Sequence, residues 1–353
     1  MPYWRFRGVS YLRKGFQVLH RVVDTSVAGY PLKGLPYSLG LRPQAMRLRF
    51  LASDTPGRFI MPSLDLQAFL GRIGHGLSAT PLRAELPLHG HAFIGETVTL
   101  IHTPFFFNGD GLWDALMDRF LPVDGVSLES LSSLQEVPRD TLRFLAALCP
   151  ECGRDLEAHK DSAVLLCTSC QCAWEPGTGG FERVQTGVVE SEEEAHLWLP
   201  FWRMEVEFEG LSLNSVADFI RFTGLPRIPL YSVETAPFAF WVPAFKLHPH
   251  LFLRVSRQMT VAQLAEHEED WPVSGEIHPC CLPPGEALEC LPILLADLSP
   301  AREAVFPRMK HAAPVGRKRR VVLVPFLRKP LEIIQPRLGF SIPVSALRFG
   351  RSL

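Results

Sequence analysis

The chain of 353 residues lacks any long hydrophobic run. A helix that crosses a bilayer needs about 20 consecutive apolar residues, and no stretch approaches that length. The opening residues, MPYWRFRGVSYLRKGF, place arginines among the aromatic residues and contain no apolar signal-peptide core. These absences argue against a membrane-spanning helix and predict a reducing, cytoplasmic location.

The chain also lacks the short motifs that mark common catalytic and nucleotide-binding sites. Neither the phosphate-binding pattern G-x-x-x-x-G-K-[ST] nor the nucleophile pattern G-x-S-x-G occurs. The glycines of residues 71–76 have the wrong spacing for a dinucleotide fingerprint. We therefore predict no catalytic residues and favour a protein that is not an enzyme. An active site assembled from distant residues stays open, because one sequence does not reveal it.

Little net charge remains on the whole chain, since 36 Lys and Arg residues oppose 37 Asp and Glu residues. The distribution is uneven: residues 1–50 carry a net charge of +8, residues 302–353 carry +10, and the residues between them carry −19. The basic ends could neutralise the acidic middle. They could also form a surface for the phosphate groups of nucleic acid or of anionic lipid. Both interpretations stay open at this point.

Eight cysteines are present, and four of them form two C-x-x-C pairs. The pairs are Cys149-Pro-Glu-Cys152 and Cys167-Thr-Ser-Cys170, separated by fourteen residues. One C-x-x-C turn offers two thiolates to a single metal ion, and Gly153 gives the first turn the backbone freedom that it needs. Four thiolates at this spacing predict a closed tetrahedral site with a structural role.

These four cysteines resemble the ligands of four-cysteine zinc ribbons, and the resemblance covers about residues 145–185. The resemblance implies one structural Zn²⁺ and a rigid surface for contact with protein or nucleic acid. The same thiolates also suit iron in a rubredoxin-like site, but nothing else in the sequence points to electron transfer. Cys172 follows the second pair, and we expect it to lie beside the metal without binding it.

Strand patterns outnumber helical ones and predict an α+β fold with mostly antiparallel sheet. Residues 203–209 alternate strictly between polar and apolar side chains, which predicts a half-exposed strand. Apolar residues at helical spacing predict a helix that ends near Gly224. Asp110, Asp114 and Asp118 recur every four residues, which predicts the outer face of another helix. The regular strand–helix alternation of a doubly wound parallel fold is absent.

The ribbon divides the chain into two halves that open with similar motifs. Pro2-Tyr3-Trp4-Arg5-Phe6 resembles Pro200-Phe201-Trp202-Arg203-Met204. A β-branched run that ends in Pro-Phe comes later in each half, at residues 98–105 and 321–326. A duplicated module and coincidence both explain these echoes. We predict three domains: an α+β domain over 1–144, the zinc ribbon over 145–185 and a second α+β domain over 186–353.

Two further groups of residues could carry chemistry, but neither has a recognised spacing. Four histidines lie close together in the first half: His75, His89, His91 and His102. No carboxylate stands at a known ligand offset from them, and scattered loop histidines give the same pattern. Cys280 and Cys281 follow His278, and a Cys–His nucleophile pair would need such neighbours. Core thiols near prolines are the commoner explanation.

Two basic elements are candidates for binding an anionic partner. The first interleaves Trp4, Phe6, Tyr11 and Phe16 with basic residues, as single-stranded nucleic acid recognition requires, although a core strand gives the same pattern. The second is the run Arg317, Lys318, Arg319 and Arg320. Adjacent cations repel unless they are solvated or matched by acids, so we expect an exposed loop that contacts phosphate or an acidic partner. A cluster that only prevents aggregation is the alternative.

The sequence therefore predicts a cytoplasmic, non-catalytic protein that binds one structural Zn²⁺ and acts as a protein-interaction or assembly module. We expect its partner to be another protein. Nucleic acid binding through the basic N- and C-terminal segments is the first alternative. Peripheral contact with an anionic membrane surface is the second alternative.

Overall fold

The computed structural model describes residues 1–30, 32–51, 55–78, 86–107, 111–122, 145–159, 161–191, 194–225, 237–267, 271, 275–300, 302–309 and 313–350. The fold is α+β and most strand pairs are antiparallel, which confirms the predicted class. Within these residues, no helix is long and apolar enough to cross a bilayer.

Strands account for most of the regular structure. They are β1 (Pro2–Lys14), β2 (Gln17–Ala28), β3 (Leu88–His102), β4 (Phe105–Phe107), β5 (Gly111–Asp114), β6 (Arg119–Pro122), β7 (Leu165–Cys167), β8 (Cys172–Gly177), β9 (Gly180–Val188), β10 (Leu197–Phe208), β11 (Phe240–Pro243), β12 (Glu276–Ile277), β13 (Pro314–Arg328), β14 (Glu332–Ile334) and β15 (Ser341–Pro343). The helices are α1 (Arg42–Ala45), α2 (Leu66–Ser78), α3 (Val216–Thr223), α4 (Pro249–Ala262), α5 (Pro284–Leu298), α6 (Arg302–Arg308) and α7 (Val344–Gly350).

Packing divides the chain into two compact units. Unit 1 consists of Met1–Gly8, Val23–Ala84 and Glu96–Phe144, and unit 2 consists of Val9–Val22, Glu85–Gly95 and Leu145–Leu353. The three long strands form a sheet in the order β2-β1-β3. The domain boundaries after residues 144 and 185 stay a prediction, which limited proteolysis would test.

Unit 2 is built on one large sheet with the order β11-β10-β13-β9-β8-β7. Its centre is the antiparallel pair of β10 and β13, in which Leu197 faces Phe326. Trp202 and Trp241 are fully buried in the core of this unit. Strand β9 pairs with β13 in parallel and with β8 antiparallel, so the ribbon strands extend the main sheet.

Local sequence signals explain several of these elements. The predicted alternation over residues 203–209 is present in β10, where the apolar side chains are buried and Glu207 is exposed. Helix α3 begins with a capping box, since Ser215 accepts the N–H of Asp218 and Asp218 accepts the N–H of Ser215. It ends at Gly224, which has φ of 70°, the left-handed conformation that glycine adopts without strain.

The strands that carry the shared motifs pair in the same register in each unit. In unit 1, Met1 and Thr103 exchange both backbone hydrogen bonds, at 2.8 and 2.9 Å. In unit 2, Leu199 and Val324 face each other across β10 and β13. Each of these four residues directly precedes the proline of its motif. A duplicated module would have such a shared register, and the duplication stays a prediction.

The segment around Asp114 and Asp118 is a β-hairpin, so the predicted helix face was wrong. Strands β5 and β6 pair antiparallel on either side of a four-residue turn. The buried carboxylate of Asp114 accepts the N–H groups of Leu116 and Met117 and closes that turn. Acids four residues apart fit the two ends of such a turn as well as they fit a helix face. Asp110 lies outside the described residues.

Candidate metal centre

The two predicted cysteine pairs meet at one end of the ribbon hairpin. Strands β7 and β8 pair antiparallel with Cys167 facing Cys172, and the second C-x-x-C turn joins them. The first turn lies between Leu148 and Asp155, which form a β-bridge. Gly153 has φ of 73° in this turn, so the glycine that the sequence singled out supplies the left-handed conformation.

The four predicted ligand atoms converge. The Sγ atoms of Cys149, Cys152, Cys167 and Cys170 all lie within 4.8 Å of one another. The Cys152 and Cys167 sulfurs are 3.7 Å apart, and the Cys149 and Cys170 sulfurs are 4.0 Å apart. Four sulfurs at about 2.3 Å from a tetrahedral metal would be about 3.8 Å apart. The cluster could therefore hold one metal ion with little rearrangement.

The electrostatic surroundings of Cys149 favour the thiolate that a metal requires. Burial raises the pKa of Cys149, but the backbone N–H groups of Cys152 and Glu151 and the neighbouring thiols lower it to about 6. The Sγ of Cys167 accepts the backbone N–H of Cys170 at 3.4 Å. Donors of this kind stabilise negative charge on sulfur, as they do in metal-binding knuckles.

Cys172 lies beside the cluster but has a different environment. Its Sγ is 3.9 Å from that of Cys149 and accepts the indole N–H of Trp174 at 3.1 Å. Burial raises the pKa of Cys172 to about 12. Cys172 groups with Glu151 and Cys170, outside the set of four mutually close cysteines. The neighbouring Cys152 thiol and burial also raise the pKa of Cys170, so the convergence of the four sulfurs, and not titration, separates Cys172 from the predicted ligands.

The ribbon also forms one wall of a groove of about 370 Å³ that the sequence did not reveal. We call it the ribbon groove. The N–H groups of Ala163 and Val164 bond to the carbonyl of Cys280, at 2.8 and 3.3 Å, and join the two walls. Sequence reasoning missed the groove because its walls are far apart in the chain. Its lining residues are Leu156, Glu157, Ala158, His159, Ser162, Val164, Leu166, Ile277, Pro279 and Cys280.

The basic run at 317–320 lies within β13, so the expected loop was wrong. Exposure was predicted correctly for Arg317, Lys318 and Arg319. Acidic side chains of the same unit form ion pairs with the run and offset the repulsion between its adjacent positive charges. The pairs are Arg317 with Glu207, Arg319 with Glu175 at 2.9 Å and Arg320 with Glu266 at 3.3 Å, while Lys318 faces Glu205 across the sheet. Binding of a phosphate or an acidic partner by these four residues stays a prediction.

The aromatic and basic residues at the start of the chain belong largely to the core. Phe6 and Tyr11 are fully buried, and Arg13 and Lys14 are also buried. The Arg13 guanidinium donates to the carbonyl of His89 at 3.0 Å. Burial lowers the pKa of Arg13. This pattern is that of a core strand, the alternative to a nucleic-acid surface that the sequence left open.

The remaining candidates do not form a site among the described residues. Within those residues, the side chains that converge as possible metal ligands are the ribbon cysteines and Glu151. The rings of His89 and His102 instead pack edge-on against phenylalanines. The side chain of His75 lies outside the described residues. Burial raises the pKa of Cys280 well above its ordinary value, which disfavours a nucleophilic thiolate there.

The fold and the site define an α+β protein with a four-cysteine cluster that could hold a metal ion. No family model matches the chain, and searches of curated proteins and of solved structures return no match either. The function is therefore argued from the geometry of the chain's own residues.

Proposed function

We propose that this chain is a cytoplasmic, non-catalytic protein that holds one structural Zn²⁺ and acts as a protein-interaction module. The four convergent thiols carry the proposal. Tetrahedral sulfur ligation suits Zn²⁺ and leaves no open position for water or substrate. Cys149, Cys152, Cys167 and Cys170 would be the ligands. Iron in the same site would colour the protein, whereas Zn²⁺ has a filled d shell and would leave it colourless.

The ribbon groove supports a protein as the partner. Its lining is mixed: Leu156, Val164 and Leu166 are apolar, and Glu157, His159 and Ser162 supply polar groups. A groove with both kinds of group suits a side chain of a partner that makes apolar contacts and hydrogen bonds, and such anchors are where binding free energy concentrates. The backbone bonds to Cys280 join the two walls, and a metal ion would hold the ribbon wall in place. Because the groove is preformed, little ordering opposes binding.

Contact with nucleic acid or an anionic membrane through residues 317–320 is less well supported. A phosphate group would compete there with Glu207, Glu175 and Glu266, which already pair with the three arginines. Binding through this run would have to fall steeply with salt and weaken when the four cations are neutralised. A salt titration with the natural chain and with that variant separates this alternative from the groove.

Selection of peptides from a random displayed library against the purified protein tests the groove. We expect selected peptides to share an apolar anchor and to bind the natural chain. The variant Ala158→Arg places a long charged side chain at the wall of the groove and should weaken them at least about tenfold. Ala45→Arg makes the same change at an exposed alanine of unit 1 and should leave binding unchanged.

Two results would overturn the proposal. Peptides that bind both variants equally would show that the groove is not the contact surface. Turnover of a substrate that depends on a side chain other than the cysteines would remove the non-catalytic role. Metal analysis of the same sample should find one zinc per chain, and iron in its place would correct the identity of the ion.

A further inference from the structure

A pocket of about 270 Å³ lies at one end of the central strand pair of unit 2. Strand β10 begins there at Leu197, beside β12, and β13 ends there at Arg328, which faces Ile333 of β14. Helix α7 contributes the remaining wall. We call this cavity the strand-end pocket. All of its lining residues belong to unit 2, although they come from segments that are far apart in the chain.

Four of the side chains that line the strand-end pocket are apolar. Leu197 and Ile333 are each 1% exposed and belong to the core of unit 2, and Leu347 is also buried. Val344 is half-buried and packs against the same core. An apolar group in this pocket would therefore lie against the core and leave water, which favours binding.

The other lining side chains are polar, and two of them are arginines. Arg328 donates to the Glu276 carboxylate at 2.9 Å, and these side chains are 48% and 60% exposed. An ion pair with this exposure contributes little, so an incoming anion can compete for Arg328. Arg348 is exposed and forms no ion pair or hydrogen bond with the part of the chain that the structure describes. Arg348 is therefore a cation at the pocket wall that no described acid pairs with.

The helix that carries this arginine is held at both of its ends. The N–H of Val344 bonds to the carbonyl of Leu331 at 3.0 Å, which fixes the start of α7. At the other end, Gly350 lies against the carbonyl of Lys246 and leaves no room for a Cβ atom. The helical wall is therefore in place before a ligand arrives, and little ordering would oppose binding.

The charge of the surrounding chain agrees with an anionic ligand. Over all of residues 327–353, the sequence contains five Lys and Arg and one acid, Glu332. The lining itself has two arginines and Glu276, a net charge of +1 with a neutral histidine. A ligand with one negative charge would balance it.

We propose that the strand-end pocket binds a carboxylate through Arg348 and encloses a short apolar body attached to that carboxylate. The planar guanidinium presents paired N–H groups that match the two oxygens of a carboxylate. The volume equals that of about nine water molecules, which suits a body of about five to eight carbons. A free organic acid has this chemistry, and so does the last residue of a peptide that ends in an apolar side chain. The proposal does not rest on the metal or on the ribbon groove.

Saturation-transfer NMR with the purified full chain and hexanoate tests the proposal. We expect a dissociation constant of about 1 mM or below for hexanoate. Hexanamide has the same size without the charge and should bind at least about tenfold more weakly. Acetate keeps the charge without the apolar body and should also bind at least about tenfold more weakly.

Three substitutions of charged side chains test the role of the arginines. Arg348→Gln should weaken hexanoate binding about 10- to 100-fold, the range for loss of a hydrogen bond to a charged group. Arg257→Gln is the matched control and should change nothing, since Arg257 is exposed on α4 of unit 2 and has no ion pair within the described residues. Glu276→Gln removes a competing carboxylate and releases Arg328, so it should strengthen binding about two- to fivefold. Thermal unfolding of each variant should match the natural chain, because these side chains are exposed.

The position of the apolar body is tested separately. Val344→Phe places a larger side chain in the pocket and should weaken hexanoate binding at least about tenfold. Val315→Phe makes the same change at a valine of unit 2 that is 60% exposed and lies outside the lining, so it should bind hexanoate like the natural chain.

The inference fails if the natural chain does not bind hexanoate at low salt, if hexanamide binds equally well, or if Arg348→Gln and Arg257→Gln lose the same affinity. Tighter binding of hexyl phosphate with the same dependence on Arg348 would overturn the assignment to a carboxylate. An acetylated dipeptide that ends in leucine separates the two sources. If its free acid binds more tightly than hexanoate and its amide does not bind, the carboxylate chemistry is supported and its source is a chain terminus. Ala158→Arg should bind hexanoate normally, so failure of the groove proposal and failure of this one are distinguishable.

Discussion

Replacing Cys167 by serine would remove one thiolate from the metal centre while changing the packing little. Cys167 is fully buried, and its Sγ lies 3.7 Å from that of Cys152. A serine hydroxyl has nearly the same size but does not ionise near neutral pH. We therefore expect Cys167→Ser to lose the metal at concentrations that saturate the natural chain.

The expected magnitude follows from metal linkage and from the small core of the ribbon. Among the residues that the structure describes, the ribbon cluster buries three large apolar side chains beside its cysteines: Leu156, Leu165 and Trp174. A bound ion at about 1,000 times its dissociation constant contributes about 4 kcal/mol to the folded form. Loss of the ion should raise the open fraction of the ribbon about 1,000-fold.

Two measurements report this change. Elemental analysis gives the metal content per chain, and amide hydrogen exchange reports opening. The N–H groups of Glu157 and Leu166 bond to each other's carbonyls, at 2.7 and 3.1 Å, and should exchange about 1,000-fold faster in the variant. Amides in the centre of the β10–β13 pair should keep most of their protection, because the large core of unit 2 surrounds that pair.

Cys172→Ser is the matched control. It removes a buried sulfur that accepts the indole N–H of Trp174, so it should destabilise the ribbon by about 1 kcal/mol and still bind one metal ion. The reasoning is refuted if Cys167→Ser retains its metal. It is equally refuted if Cys172→Ser loses its metal, since the ligand set would then include Cys172.

Two further substitutions test electrostatic features. Burial, with a smaller effect of the N-terminal ammonium, lowers the pKa of His102 from 6.5 to about 4. Between these two pH values the unfolded chain binds a proton that the folded protein does not, so the free energy of unfolding decreases as the pH is lowered from 6.5 to about 4. On acidification, His102→Gln should lose about 1–2 kcal/mol less free energy of unfolding than the natural chain, as measured by urea unfolding at neutral and acidic pH. Identical pH profiles for the variant and the natural chain would contradict this prediction. Glu266 is 11% exposed and pairs with Arg203 and Arg320 at 3.2 and 3.3 Å. Glu266→Gln should lower the free energy of unfolding by about 3 kcal/mol, against less than about 1 for exposed Glu207→Gln, and equal losses would argue against a buried network.

Features set by neighbouring residues could be predicted from the sequence. The four converging cysteines follow from two C-x-x-C turns, each of which is complete within four residues. The strand at 203–209 follows from its alternation, and the end of α3 follows from Gly224. The approach of the two turns to each other is the one long-range part of this prediction, and the loop of fourteen residues between them is long enough to allow it.

Features set by pairing between distant segments could not be predicted. The ribbon groove joins residues 156–166 to residues 277–280, and no local pattern connects those segments. The basic run at 317–320 is tolerated in a strand because Glu175, Glu207 and Glu266 lie opposite it. Its charge pattern alone fits a loop equally well. The hairpin at residues 111–122 was missed because the spacing of Asp114 and Asp118 also fits a helix.

A metal ion bound by the four cysteines would have a local role in a chain with a large core. The central sheet of unit 2 buries large side chains such as Trp202 and Trp241, so we expect it to fold without an ion. Strand β7, in contrast, has three residues and ends the main order of that sheet. Exposed edge strands pair with other chains unless they are covered, and here Glu157 covers β7 at Leu166. The cysteine turns flank both of these segments, so a bound ion would hold the covered edge and the wall of the ribbon groove together. Metal removal should therefore expose the edge and abolish groove binding before it unfolds the central sheet.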